Sequence, residues 1–259
     1  MSLYLALGLY ALGTLAALAT LFVGGKGLRY AGLGFMVGGW IAHTIWIGTI
    51  CAATGHPPLT NLPEATSFVA WVVFLAQLVL QFRYRVYAAT FFVYPLVLLL
   101  LTTSAVAGEN FAVLDPEFRS NVFTVHLLMS TVGVACLLIA LAFGVLALIQ
   151  DRMLKTKRHG RLWEWIPSLD VCKSVSFRTL SIGFAIYTIG LIAGVLWSYR
   201  TTAGLMDLRV KQLAAVTAWI LFGILLQSYI SNTYRRKRML FVSAGAFVAI
   251  VVAMLGIRG

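Results

Sequence analysis

Long apolar runs separated by short polar or basic connections dominate this chain. Runs of about 20 apolar residues, the length a helix needs to cross hydrocarbon, fall at 2–23, 30–53, 66–82, 86–107, 123–150, 178–198, 212–232 and 239–257. In lipid only a helix or a closed barrel satisfies its own backbone, and these runs are too long and too evenly apolar for barrel strands. The pattern predicts an all-α polytopic membrane protein with about eight transmembrane helices, organised as a single transmembrane domain over 1–259. No Pro-, Gly- and Ser-rich linker and no internal repeat interrupts it. Met1 is followed at once by apolar residues, with no basic stretch and no A-x-A site, which predicts a permanent first span rather than a cleaved leader.

Composition sharpens this picture. Apolar residues make up 61% of the chain and charged residues 11%, against roughly 45–50% and 25% in soluble domains. The net charge of +12 would suit a nucleic-acid partner, but its distribution removes that need. The connections at 24–29, 83–85, 151–177 and 233–238 hold most of the Lys and Arg, including the run Arg235-Arg236-Lys237-Arg238. The alternate connections hold only Arg119, Arg200, Arg209 and Lys211. Excess Lys and Arg mark the cytoplasmic side, so both termini are expected to face outward from a bacterial inner (plasma) membrane. The basic charge is then topology and contact with anionic lipids, and no nucleic-acid partner is implied. Trp163 and Trp165, in the basic inner connection, read as headgroup-level anchors. Cys51, Cys136 and Cys172 show no C-x-x-C spacing, which excludes a disulfide framework or zinc site and leaves them as small packing residues.

With this topology, three of the four histidines fall in the outer half. His43 lies inside span two beyond the midplane, His56 opens the outer loop, and His126 sits near the outer start of span five; His159 is alone in the basic inner loop. Imidazole can ligate haem iron or carry protons. A histidine inside a span is costly unless it faces a partner or a cavity. His43 and His126 are therefore candidate ligands or proton carriers; the alternative is a histidine hydrogen-bonded to a carbonyl or serine between helices. In the loop "GHPPLTNLPEATSF", two prolines fix an extended entry, Asn61 and Thr60 can satisfy turn backbone groups, and Glu64 suits the positive end of the following helix. No nucleophile with its base, phosphate-binding loop or carboxylate pair is present, so the chain does not read as an enzyme. A haem handler, a quinone-reactive cytochrome subunit and a proton-coupled transporter all remain open.

The stretch "GVLWSYRTTAGLMDLRVKQLAAVTAW" contains an outer connection, 199–211, far more polar than a helix turn requires. Here a family resemblance enters. "GHPPLTNLPEATSF", "FTVHLLMSTVGVACLLIA" and "PSLDVCKSVSFRTLSIGFAIYTIGLIAGVLW" resemble three segments of the CcsA/ResC cytochrome c assembly proteins and their HemX relatives, and the likeness covers nearly the whole chain. In that family the 199–211 connection is a tryptophan-rich "WWD" region held to present haem. Here Trp197 and Trp219 occupy the flanking positions, Lys211 and Gln212 match the terminal Lys-Glu, Arg209 stands in the aspartate's place, and the internal tryptophans are gone. Gln227 falls where some members carry an in-span histidine. The HemX branch is similar in having a reduced region.

The resemblance implies haem handling or transfer at the outer face in cytochrome c maturation, with haem bound transiently and a ResB/CcsB-like membrane partner. It implies His126 as an axial ligand, with His43 or His56 as candidate second ligand; His126 and His43 are the candidate metal-binding pair. Glu64 and Trp197 are further candidate haem contacts. Arg200, Arg209 and Lys211 suit the propionates, because guanidinium and ammonium groups form charge-assisted bonds with carboxylates. Two other readings remain: a HemX-type membrane regulator of tetrapyrrole biosynthesis that need not bind haem, and a transporter of another hydrophobic solute.

Overall fold

The computed structural model describes residues 3–59, 61–84, 87–107, 120–156, 166–201, 210–231 and 236–255. All regular structure among them is helical: α1 (Leu3–Val23), α2 (Lys26–Thr54), α3 (Leu62–Tyr84), α4 (Thr90–Ala107), α5 (Asn121–Thr156), α6 (Leu169–Thr201), α7 (Val210–Ile230) and α8 (Arg236–Leu255). Six of these, α1, α2, α3, α5, α6 and α7, are long and apolar enough to cross a membrane. The apolar stretches of α4 and α8 are shorter, Thr90–Val106 and Phe241–Ala253. The chain is thus a multi-pass helical membrane protein.

Helix ends depart from the apolar runs in both directions. α6 begins at Leu169, well before the apolar run, because Ser168 caps it by accepting from Val171 N (3.4 Å) and polar residues continue a helix once it is started. α5 likewise runs on to Thr156, where Lys155 pairs with Asp151 at 2.8 Å one turn back. The helices therefore reach into the expected connections: α5 runs to Thr156 and α6 starts at Leu169 within 151–177, and α6 runs to Thr201 and α7 starts at Val210 within 199–211. α4 starts late because residues 87–89 form a turn, with Thr90 Oγ1 donating to the Tyr87 carbonyl at 2.7 Å. Thr60, Arg119, His159, Trp163, Trp165 and Arg235 lie outside the described residues.

The chain divides into two compact units, residues 1–112 with 142–173, and residues 113–141 with 174–259. In the first, α1 packs on α2 and α4, and α3 on α2 and α4, closing a four-helix ring. The α1–α2 hairpin turns through Gly24 and Gly25, at φ 74° and 99°, a region open to glycine at little cost. Small residues let its two helices approach closely: a Cβ on Gly39 would lie 2.9 Å from the Tyr10 ring. Gly55 ends α2 in the left-handed conformation, its N–H returning to the Cys51 carbonyl at 2.9 Å. In the second unit α7 packs on α8 and α6 binds α7 through Trp219 Nε1, which donates to Thr188 Oγ1 at 2.9 Å. The three cysteines are free thiols.

Candidate functional site

In the second unit the sequence builds a slot for one imidazole. Along α6, Gly183, Tyr187, Gly190 and Gly194 recur at helical spacing on one face, and the facing residues of α5 are His126, Ser130, Gly133 and Cys136. A Cβ on Gly133 would meet the Tyr187 backbone at 2.8 Å, one on Gly190 would meet Ser130, and one on Gly194 would meet His126 Nδ1 and Cε1 at 2.6 and 2.7 Å. The two helices touch there main chain to side chain with nothing between. His126, in the second turn of α5, fits against α6 because residues 190 and 194 have no side chains.

This contact fixes the imidazole chemically. His126 Nδ1 lies 2.8 Å from the Gly190 carbonyl. A carbonyl oxygen only accepts, so Nδ1 carries the hydrogen and donates it, and the neutral ring has its lone pair on Nε2. A main-chain carbonyl orienting the far nitrogen is the arrangement that prepares a histidine as a metal ligand. Phe123 lies beside the ring at 6.4 Å and against Trp197 at 4.8 Å between centroids, giving His126 an aromatic flank. Arg200, one turn beyond Trp197, is exposed in the last turn of α6. Lys211 is helical, but its side chain and all of Arg209 lie outside the described residues.

The other candidates belong to the first unit. His43 is fully buried, with Nε2 2.7 Å from Ser67 Oγ on α3; it is the histidine bonded to a serine between helices that the sequence left as an alternative. Acting as an axial ligand through Nε2 would require that bond to break. His56 donates from Nδ1 to the Pro57 carbonyl at 3.0 Å, since the carbonyl must accept. Asn61 caps α3: Glu64 N donates to Asn61 Oδ1 at 2.9 Å, and Asn61 Nδ2 donates to Glu64 Oε1 at 3.0 Å. Glu64 is thus the buried partner of the Asn61 cap, as its place at a helix start suggests. Among the described residues no three His, Cys, Asp or Glu side chains converge as a metal cluster.

Sequence reasoning passed over three contributors. Gly190 and Gly194 were visible only as motif letters, although a G-x-x-x-G step facing a histidine on an adjacent antiparallel helix is a usable signal. Phe123 carried no signal by itself. Gln227 lines a cleft of about 420 Å³ between α6 and α7, with Phe184, Trp219, Gly223, Ser228 and Ser231. Trp219, at a flanking position of the polar connection, stacks on Phe184 at 5.5 Å.

A family model described as cytochrome C assembly protein matches residues 59–259. The chain belongs to that family. It is 25% identical over 252 residues to a cytochrome c biogenesis protein CcsA from Guillardia theta, covering 90% of this chain and 84% of the relative. A CcsA of Prochlorococcus marinus (strain MIT 9301) is 24% identical over 228 residues, 79% of this chain and 74% of its own length. Protein HemX of Bacillus subtilis (strain 168) is 23% identical over 215 residues, 82% and 78%. No solved structure gives a significant match. Within the family match lies the whole α5–α6 seam with His126.

Proposed function

We propose that this chain handles haem at the outer face of a bacterial inner membrane during cytochrome c maturation, as a binding and transfer protein and not an enzyme. The observation that carries the reading is the Gly190 carbonyl, which holds His126 as the Nδ1–H tautomer and so leaves the lone pair on Nε2, the atom that would bind iron. Haem is cargo in this reading: His126 supplies one axial nitrogen, Phe123 and Trp197 an aromatic wall, and Arg200 with Arg209 and Lys211 charge partners for the propionates. Both termini face outward and the basic connections face the cytoplasm and its anionic lipids. A ResB/CcsB-like membrane protein is the partner. The chain purified after expression with haem available should show a Soret band that disappears in His126→Ala and returns in part with added imidazole. An unchanged band in His126→Ala overturns the assignment.

A second reading has one feature in its favour. The in-span position of the α6–α7 cleft is Gln227, and an amide is no axial ligand. That suits a HemX-type regulator of tetrapyrrole biosynthesis, and the 23% identity to HemX barely differs from the 25% to CcsA. Absence of haem from the purified wild-type chain, with normal insertion, selects this reading.

A further inference from the structure

Within its largely apolar interior, the four-helix ring of the first unit holds a file of buried polar groups. On α3, Ser67, Phe74, Gln77 and Gln81 recur at helical spacing on one face, and all four are buried. Facing them are three buried groups from the other helices: Tyr10 of α1, His43 of α2 and Tyr94 of α4. The rings form a continuous file, His43 to Tyr10 at 6.0 Å, Tyr10 to Phe74 at 5.8 Å and Phe74 to Tyr94 at 6.0 Å. Hydrogen bonds close its two ends. His43 Nε2 meets Ser67 Oγ at 2.7 Å, and Tyr94 donates from its hydroxyl to Gln81 Oε1 at 3.5 Å. Between those ends, His43 Nδ1, the Tyr10 hydroxyl and both amide atoms of Gln77 are buried without a protein hydrogen-bond partner.

Polar atoms left like this inside a membrane protein are expensive. Each gives up its hydration with no bond in return, and intramembrane ionisable groups usually mark a pathway for ions or protons. Interhelical adhesion does not account for Gln77, because its amide bonds to no other residue. Buried water satisfies such groups when two to four polar partners surround it. The file also has the correct reach. From Glu64, buried in the first turn of α3, to Gln81 is on the order of 25 Å along the axis at 1.5 Å per residue, close to the ~30 Å of hydrocarbon.

We propose that the inner face of α3 is a water-assisted proton path through the first unit, separate from the haem reading and independent of it. A proton enters beside Glu64 and passes through the Ser67 hydroxyl to His43 Nε2. His43 releases its other proton from Nδ1 to water bridging Tyr10 and Gln77. Further water carries a proton past Phe74 to the Tyr94–Gln81 pair, and a tautomer exchange resets His43. One proton crosses per cycle, no electron moves and no covalent bond to carbon changes.

The test uses the full-length purified chain in phosphatidylcholine/phosphatidylglycerol vesicles containing a pH-sensitive dye, with a potassium diffusion potential set by valinomycin. Wild-type vesicles should acidify at least threefold faster than protein-free vesicles, and about twofold more slowly in D₂O. Gln77→Leu and His43→Phe should fall to the protein-free rate at equal incorporation. Gln77→Leu removes two unpartnered polar atoms, so its thermal midpoint should be unchanged or raised, which keeps the test valid if His43→Phe fails to insert. Wild-type flux at the protein-free rate overturns the proposal, and so does a Gln77→Leu variant that conducts like the wild type.

Discussion

Gly194→Ala tests the imidazole slot most sharply. The new methyl would stand 2.6 Å from His126 Nδ1 and 2.7 Å from Cε1, where relaxed contacts need about 3.5–4.0 Å. The ring must therefore retreat by roughly 1 Å. The 2.8 Å bond to the Gly190 carbonyl then stretches toward a length at which it is no longer a hydrogen bond. Stability should fall by about 0–2.5 kcal/mol: overpacking costs about 1–3 kcal/mol, and a mid-helix alanine recovers about 0.5–1 kcal/mol relative to glycine. Haem affinity should fall as well, through the ligand itself. A ligand held by no carbonyl and displaced by that distance is expected to lose at least tenfold in Kd, about 1.4 kcal/mol. The assay is a haem titration followed at the Soret band, alongside a thermal melt. Gly183→Ala is the control, because its methyl would meet Cys136 Cβ at 2.8 Å in the same seam, away from the histidine. If Gly183→Ala weakens haem as much as Gly194→Ala, or Gly194→Ala titrates like the wild type, the slot has no part in ligation.

Other expectations follow from neighbouring contacts. Gly133→Ala should be the most destabilising glycine change in the seam, about 1–3 kcal/mol or more, since its methyl meets Tyr187 backbone atoms that cannot swing away; thermal melts rank the series. Asn61→Ala should cost about 1 kcal/mol by uncapping α3, and a midpoint equal to wild type would refute the capping geometry. Single cysteines placed in 54–65 should label from outside intact cells and those in 157–168 should not; the reverse pattern inverts the topology. Replacing Arg200, Arg209 and Lys211 together with Ala should loosen haem noticeably, whereas one exposed pair is worth only about 0.2–1 kcal/mol; full haem retention with normal insertion removes the propionate role.

Hydropathy located all eight helices, because burial in lipid demands long apolar runs whatever packs on them. It misplaced their ends where polar residues carry the helix past the apolar run: the Ser168 cap and "LDVCKSVSF" extend α6 backwards, and no scale of apolarity records a cap. His43 was legible as an intramembrane histidine. Its partner Ser67 was not, because pairing across helices depends on a register that one sequence does not contain. Glu64 could be placed at a helix start from its neighbours, and Asn61 three residues earlier is the cap it pairs with. His126 was legible through the family motif. The reason for that motif's glycines became visible only when α5 and α6 were seen in contact.

The hydrogen bond that sets His126 ends on a main-chain oxygen, and an oxygen of this kind has no letter in the sequence. No side chain partners the histidine through this bond, since every amino acid supplies the same carbonyl. The requirement is written instead as what positions 190 and 194 must lack. Transplanting the histidine alone into another helix pair would carry over a ring without its orientation. The portable unit is the imidazole together with the two missing side chains opposite it.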